Sequence, residues 1–238
     1  MNKEARSPAT RSLRIEEAPR TLREIALERL RTAIVEHHFP PGSRLTEREL
    51  CEQLGVSRSV VREVIRHLET EGLVETIPHH GPIVAVLDAE TAAQIYEIRA
   101  LLESTAAHDA ALRATPETVE KLRTALDDIR AAYAEGNHHA VILSTTRFYE
   151  AMFAVGGKSV AWEVVTRLNS RISWLRSMTI ASPGRNVSGL GQMEKIFRAI
   201  ERRDPEAAAA ASRDHIAMAA KIAQGLLAER LNAQARQA

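Results

Sequence analysis

The chain has 238 residues, of which 45% are hydrophobic and 26% charged, and its formal net charge at pH 7 is +1. This length gives room for one large domain or two modest ones. Because the charge is nearly balanced, any binding to nucleic acid must come from a local basic patch. The single cysteine excludes an internal disulfide framework. No apolar run suits a membrane span or a signal core, so we predict a cytoplasmic protein.

The N-terminal stretch divides into a polar tail and a helix. Residues 1–19 carry scattered arginines without periodicity, which predicts a disordered tail. A basic arm that reaches into a DNA minor groove is the alternative. Residues 21–37 repeat apolar side chains at helical spacing, and the Pro-Pro-Gly sequence at 40–42 ends that helix. This helix would form one wall of a small domain over residues 20–87.

Two short helices joined by a tight turn are predicted next. Thr46 and Glu49 have the spacing of a capping box at the start of the first helix. Gly55 ends this helix, since glycine adopts the left-handed conformation at little cost. Ser57 is placed to cap the second helix. The arrangement has the spacing of a helix-turn-helix motif.

The second of these helices is amphipathic. Arg58, Arg62 and Arg66 are four residues apart and share one face, opposite a stripe of valine, isoleucine and leucine. A guanidinium group matches both phosphate oxygens and the edge of guanine. An arginine stripe alone is most often a solvated surface. Next to a cap, a glycine turn and a second helix, it indicates a helix that enters the major groove of DNA.

Residues 73–77 and 83–87 read as two strands joined by a turn at 78–82, which forms a wing. The segment RLTERELCEQLGVSRSVVREVIRHLETEGLVETIPHHGPIVAV resembles the winged helix-turn-helix of the GntR transcription regulators. The TEREL, VSR, VRE, LETEGLV and HG elements stand in family order, and the resemblance covers residues 22–87.

The resemblance implies a double-stranded DNA partner and a set of contact residues. Arg48, Arg58 and Arg62 would approach phosphates and bases, and Ser57 and Ser59 would contact the DNA backbone. The wing residues that would enter the minor groove are His80 and Gly81.

The remaining residues, 88–238, show no strand signal and predict an antiparallel bundle of six helices joined by short loops. In the first of these helices, we expect Ala92, Ile95, Ile98, Leu102 and Ala106 to face inward. The fold class is therefore mainly α, with an N-terminal winged helix-turn-helix followed by the bundle. The helices are predicted over residues 91–113, 116–135, 138–155, 159–179, 187–203 and 205–231.

The bundle sequence also resembles a family. YEIRALLESTAA, RFYEAMFAVGGKSV and FRAIERRDPEAAAAASRDHI are similar to the C-terminal effector (FCD) domain of FadR-type GntR regulators, and the six-helix form is similar to the VanR subgroup. The resemblance implies a homodimer that presents two recognition helices to a palindromic operator. It also implies a small-molecule effector bound inside the bundle.

The resemblance places a divalent-metal site inside the bundle, with an aspartate, a histidine four residues later, and two further histidines. Those positions fall at Thr145, Tyr149, Met193 and His215 of this chain. Only His215 remains, and zinc requires several imidazole or carboxylate donors. We therefore expect no metal cofactor. Thr145, Tyr149, Met193 and His215 would instead line a pocket for an organic ligand.

Arginines extend the predicted pocket. The family often places an arginine at the position of Arg99, facing the cavity, although an ion pair between Arg99 and Glu103 along one helix is an equal alternative. Arginine forks bind carboxylates bidentately, which favours a small organic acid as the ligand. Arg176 is expected on the surface. Further candidates for the pocket are Arg147, Asn169 and Arg171.

These observations predict a transcriptional regulator, with repression relieved by a small organic acid as the main hypothesis. A DNA-binding protein whose bundle serves only dimerisation is the alternative. An enzyme is the rival from another class, but the sequence has no nucleophile elbow, glycine-rich phosphate loop or zinc hydrolase motif.

Overall fold

The computed structural model describes residues 20–182 and 184–235, and the tail predicted over residues 1–19 lies outside these ranges. The described chain is mainly helical, with one small sheet near the N-terminus, which confirms the predicted fold class. The elements are α1 (Leu22–Val35), α2 (Glu47–Leu54), α3 (Arg58–Thr70), β1 (Val74–Ile77), β2 (Gly81–Val84), α4 (Ala89–Arg113), α5 (Pro116–Ala134), α6 (His138–Val155), α7 (Ser159–Ile180), α8 (Arg185–Glu201) and α9 (Pro205–Ala235).

The N-terminal domain comprises α1, α2, α3 and the hairpin. Leu30 and Ile34 of α1 meet Val61, Val64 and Leu68 of α3, and all five are at most 1% exposed. Burying aliphatic side chains in this way contributes roughly 1.5–3 kcal/mol each. The packing fixes one face of α3 inside the domain and leaves the opposite face in solvent.

Two local predictions in this domain are wrong. β2 begins at Gly81 instead of at residue 83, because Gly81 and Pro82 pair with Ile77 and Thr76 of β1. The capping box at Thr46 does not form, since the Thr46 side chain makes no cap hydrogen bond. α2 is instead anchored by packing in its interior, with Leu50 only 2% exposed.

The C-terminal bundle comprises α4 to α9. Its longest helix, α9, packs along α4, while α5 packs against α6 and α8. Alanines let α4 and α9 approach closely: Ala106, Ala107 and Ala110 on one helix and Ala208 and Ala223 on the other are fully buried. None of the helices in the described ranges has the length and apolar content that a membrane crossing requires.

One predicted core position of the bundle is wrong. Ile98 is 37% exposed, because it lies on the edge of α4 that faces away from α9, together with Leu101 at 65% and Leu112 at 54%. The inward face of α4 is carried instead by Ala92, Ile95, Tyr96 and Arg99, all 3% exposed or less.

Candidate nucleic-acid interface and ligand cavity

The exposed face of α3 carries the predicted recognition arginines. Ser57 caps the helix by accepting a hydrogen bond from the Val60 N–H at 3.5 Å. Arg58, Arg62 and Arg66 are all exposed on the side opposite the buried valines. The predicted orientation of α3 is thus found, and its guanidinium groups lie on the solvent side, where a phosphate backbone or base edges can reach them.

Two of the predicted DNA-contact arginines make surface ion pairs within the domain. The Arg62 Nε donates to Glu47 Oε1 at 2.8 Å, and this bond lowers the pKa of the Glu47 carboxyl. Arg48 lies 3.5 Å from Glu52. Pairs as exposed as these are weak and are screened by salt, so phosphate groups can replace the carboxylates as partners.

The wing stands beside α3. Its turn is made by three exposed residues at 78–80, and His79 takes a positive φ of 65°. His80 Nδ1 lies 3.4 Å from the Pro78 carbonyl oxygen. The Thr76 hydroxyl of β1 donates to the Glu69 carboxylate of α3, which ties the hairpin to the helix. The roles of Ser59, His80 and Gly81 in DNA contact stay a prediction.

A second candidate site is a small, partly open cavity of about 30 Å³ inside the bundle. This volume holds one or two water-sized groups. Its wall is formed by side chains from α4 to α9, and four residues of the predicted pocket lie in it. They are Arg99, Thr145, Met193 and His215.

Arg99 both forms the ion pair with Glu103 and lines the cavity, so the two alternatives considered for it hold together. Its Nε donates to Glu103 Oε1 at 2.7 Å, and the two side chains are 4% and 1% exposed. Burial works against the charge of Arg99, but the Glu103 carboxylate compensates and raises the pKa of the guanidinium. The same guanidinium lines the cavity. The ion pair is therefore a buried part of the cavity wall.

Two further arginines line the cavity. Arg176 donates to the Thr146 hydroxyl at 3.0 Å and to the Ile142 carbonyl at 3.4 Å. Arg185 is 4% exposed and donates to the side chain of Gln192 at 2.9 Å. In the described chain, no carboxylate is paired with either of them. Burial lowers the pKa of Arg176 to about 10 and also lowers that of Arg185, yet both stay charged at pH 7.

The surface position predicted for Arg176 is wrong, because it follows Ile172 by one helical turn and shares the buried face of α7. That four-residue spacing is a signal the sequence offers. Arg185 is absent from the sequence-based predictions. It begins α8 directly after a loop, where no periodicity indicates its direction.

Polar atoms around the cavity lack partners. Within the described residues, Tyr96 Oη, Tyr149 Oη and His215 Nδ1 are buried and make no hydrogen bond. Burial and the charges of Arg185, Arg99 and Arg176 hold the pKa of His215 well below its usual value, so its imidazole is neutral at pH 7. Burying such groups unpaired costs roughly 1–3 kcal/mol each. Tyr96 and His215 line the cavity, so Tyr96 Oη and His215 Nδ1 can pair with a polar ligand.

Four predicted or candidate pocket residues lie outside the cavity wall. The Tyr149 ring lies behind it, with the Arg99 and Arg176 guanidinium carbons 5.9 and 5.8 Å from its centroid. Asn169 precedes Arg176 by seven residues, or about 10 Å along the helix, and does not reach the wall. Arg147 is 60% exposed and lies 3.8 Å from a carboxylate oxygen on α5. Arg171 points towards the N-terminal domain.

The residues at the family metal positions do not fit a divalent metal. The Thr145 hydroxyl donates a hydrogen bond to the Val141 carbonyl at 2.7 Å. The only potential metal ligand in the Met193 side chain, which is buried, is a thioether sulfur. His215 supplies one imidazole, next to three guanidinium groups that repel a cation. In residues 20–182 and 184–235, no three His, Cys, Asp or Glu side chains come together as a metal site would require.

A winged helix-turn-helix joined to an all-helical bundle with an internal cavity defines a class of two-domain transcription regulators. The chain belongs to the GntR family: the family model of bacterial regulatory proteins, gntR family, matches residues 22–84, and the FCD domain model matches residues 94–218. It is a DNA-binding regulator with a C-terminal effector domain, as in the FadR branch.

Relatives of this chain carry names of the same class. The Nta operon transcriptional regulator of Aminobacter aminovorans is 44% identical over 89 residues, which cover 37% of this chain and 42% of that protein. The transcriptional repressor RspR of Escherichia coli is 26% identical over 79% of this chain and 82% of its own. A GntR regulator structure from a Rhodococcus species shares the fold, with a TM-score of 0.73, 23% identity and coverage of 85% of this chain and 97% of that one.

Proposed function

We propose that this regulator is a repressor that releases its operator when a small carboxylate binds in the bundle cavity. Arg48, Arg58 and Arg62 would hold the operator DNA in the cytoplasm. The repressor RspR, similar over most of the chain, supports the direction of the response. The observation that carries the proposal is the pair Arg176 and Arg185, one partly buried and one buried, whose guanidinium groups face one cavity without a carboxylate partner in the described chain.

The charge of the cavity favours an acidic ligand. Arg99, Arg176 and Arg185 bring three positive charges, Glu103 brings one negative charge, and His215 is neutral. Two positive charges are therefore uncompensated in a largely buried space, where an unpaired charge is costly. A carboxylate can pair with a guanidinium through two parallel hydrogen bonds. The cavity is small, so the acid must be small or must displace side chains on entering.

The bundle can also serve dimerisation. One face of α4 exposes a row of side chains separated by three, four and seven residues, which is the spacing of a helix–helix interface. The row consists of Ile98, Leu101, Thr105 and Leu112. We propose that this face joins two copies of the chain, so that two α3 helices meet a palindromic operator.

The rival functions explain the cavity less well. A bundle that served only dimerisation would not need several arginines facing one shared cavity. An enzyme would need an activated nucleophile or an acid–base pair, which the cavity does not provide.

The test is thermal unfolding of the full-length protein with acetate, succinate, citrate or benzoate, each compared with its uncharged amide. Saturation at about 100 times Kd stabilises by about 2.7 kcal/mol, or roughly 5–10 °C for a chain of this size. Arg176→Gln should remove the effect, and Arg167→Gln, an exposed position on the same helix, should keep it. If no carboxylate is selective over its amide, the bundle is structural and the proposal is wrong.

A further inference from the structure

One helix of the bundle, α7, contacts both the cavity and the N-terminal domain. Arg176 and Thr179 line the cavity. At 100° per residue these positions lie roughly opposite the side of α7 that meets the N-terminal domain. That side carries Ser170, Arg171, Trp174 and Ser177.

The first contact is made at the end of the recognition helix. Glu71 is the C-cap of α3, and its carboxylate accepts hydrogen bonds from Arg31 of α1 and from the Ser170 hydroxyl of α7. The Glu71 backbone carbonyl accepts a third bond from Arg171 Nε at 3.2 Å. Ser170 and Arg171 thus hold the last residue of the helix whose other face carries the DNA-contact arginines.

The approach of α7 to this point is close. Gly72 follows the cap with a φ of 71°, and a Cβ placed there would lie only 2.4 Å from Arg171 Nε. The left-handed backbone favours glycine at this position, and any added Cβ would have to displace the Arg171 guanidinium. A shift of α7 must therefore rearrange the Arg171 side chain, displace the end of α3 or break the contact.

The second contact lies at the end of α1. His37 Nε2 is 2.9 Å from the Ser177 hydroxyl, and the His37 ring meets the Trp174 ring edge-on with centroids 5.4 Å apart. Next to it, Glu36 pairs with His139 of α6 at 2.8 Å. This contact sits about 10 Å further along α7 than Ser170. Two separated contacts on one helix fix the orientation of the N-terminal domain as well as its position.

We propose that Ser170 and Arg171 are positioning residues that couple the cavity to the recognition helix through Glu71. A change at Arg176 moves α7, and the Glu71 contact carries that movement into α3, whose orientation sets the affinity for DNA. Control of this coupling by a ligand rests on the proposed function. The coupling between α7 and α3 itself rests only on the contacts described above. The Arg31–Glu71 pair lies within the N-terminal domain and survives loss of the α7 contact.

A double-mutant cycle tests the link without an effector. Operator DNA is first selected from a random pool by the wild-type protein, and its Kd is measured by fluorescence anisotropy at fixed salt. Arg176→Gln is introduced into the wild-type chain and into the Ser170→Ala/Arg171→Ala background. In the wild-type chain, we expect Arg176→Gln to shift the operator Kd by about fivefold or more, which is the lower end of typical allosteric coupling. In the Ser170→Ala/Arg171→Ala background, the same substitution should shift Kd by less than about twofold.

Two controls separate coupling from damage. Arg167→Ala, an exposed position on α7, should leave the Arg176→Gln shift intact, and the conservative pair Ser170→Thr/Arg171→Lys should restore it. If the alanine pair does not fold, the single changes Ser170→Ala and Arg171→Gln take its place, and each must reduce the Arg176→Gln shift. Equal shifts in all backgrounds, or no shift in any, would overturn the proposal.

The outcome is distinguishable from failure of the proposed function. Succinate stabilisation of the Ser170→Ala/Arg171→Ala variant reports ligand binding separately, and it should match the wild type because neither residue lines the cavity. If no carboxylate stabilises any variant, the effector proposal fails while the Kd cycle still decides the mechanical link. If succinate binds and moves operator affinity equally in both backgrounds, the link is wrong and the effector proposal stands.

Discussion

The buried ion pair between Arg99 and Glu103 can be dissected by replacing Glu103 with glutamine. The substitution keeps the shape of the side chain but leaves Arg99, 3% exposed, without its carboxylate at 2.7 Å. Removing one partner of a buried pair costs about 3–5 kcal/mol. For a chain of this size, each kcal/mol lowers Tm by about 2–4 °C, so a decrease of roughly 6–20 °C is expected.

The assay is thermal unfolding of full-length Glu103→Gln, monitored by circular dichroism, with and without succinate. Because the uncompensated charge of the cavity rises from two to three, succinate should stabilise this variant more than the wild type. The apolar pair Arg99→Met/Glu103→Leu serves as the control. It should cost less than either single change, since it leaves no unpaired charge. A fall in Tm of less than about 2 °C for Glu103→Gln would refute a charge-filled cavity.

Four further results are expected. Arg58→Ala should cost about 1–3 kcal/mol in operator binding at fixed salt if Arg58 reads a base; an unchanged mobility-shift titration removes it from the interface. Leu101→Glu should convert a dimer into a monomer in sedimentation velocity, and a dimer that persists would place the contact elsewhere. His215 is held neutral in the fold with a lowered pKa, so the unfolded state binds more protons below about pH 6.5. Stability should therefore fall as the pH decreases from 7 to 5, and His215→Gln should flatten that slope; an identical slope would show that His215 does not titrate on unfolding. Elemental analysis of the purified protein should find well under one transition metal per chain, and stoichiometric zinc after mild dialysis would contradict the mismatch of donors.

Local sequence signals determined much of the N-terminal domain. Gly55 takes a φ of 66° as the C-cap of α2, and Ser57 caps α3, as their spacing predicts. The arginine face of α3 could also be predicted, because a 3.6-residue period separates it from the valine stripe. These features depend on contacts within a few residues, which the sequence contains directly.

The errors arise where packing between distant segments decides the outcome. Pro82 belongs to β2, where it pairs with Thr76 of β1, and its carbonyl also accepts a hydrogen bond from the Leu45 N–H outside the hairpin. Ile98 is apolar and at a helical spacing from Ile95, yet α9 packs against a neighbouring face of α4 and leaves Ile98 exposed. Periodicity indicates that a helix has an inner face, but the partner helix determines its centre.

The cavity residues likewise depend on packing between distant segments, which the local sequence does not determine. Thr145, Met193 and His215 lie on three helices, and only the family resemblance brought them together before the fold was known. Arg176 and Arg185 reach the same cavity from α7 and α8. Their burial depends on how these helices rotate in the bundle, which composition and spacing do not determine.

The most direct test of the account is operator affinity measured with and without a carboxylate that stabilises the protein. We expect saturating ligand to weaken operator binding of the wild type by about fivefold or more and to leave that of Arg176→Gln unchanged. Equal operator affinity with and without the bound acid would contradict the claim that the arginine-lined cavity controls the DNA-binding domain.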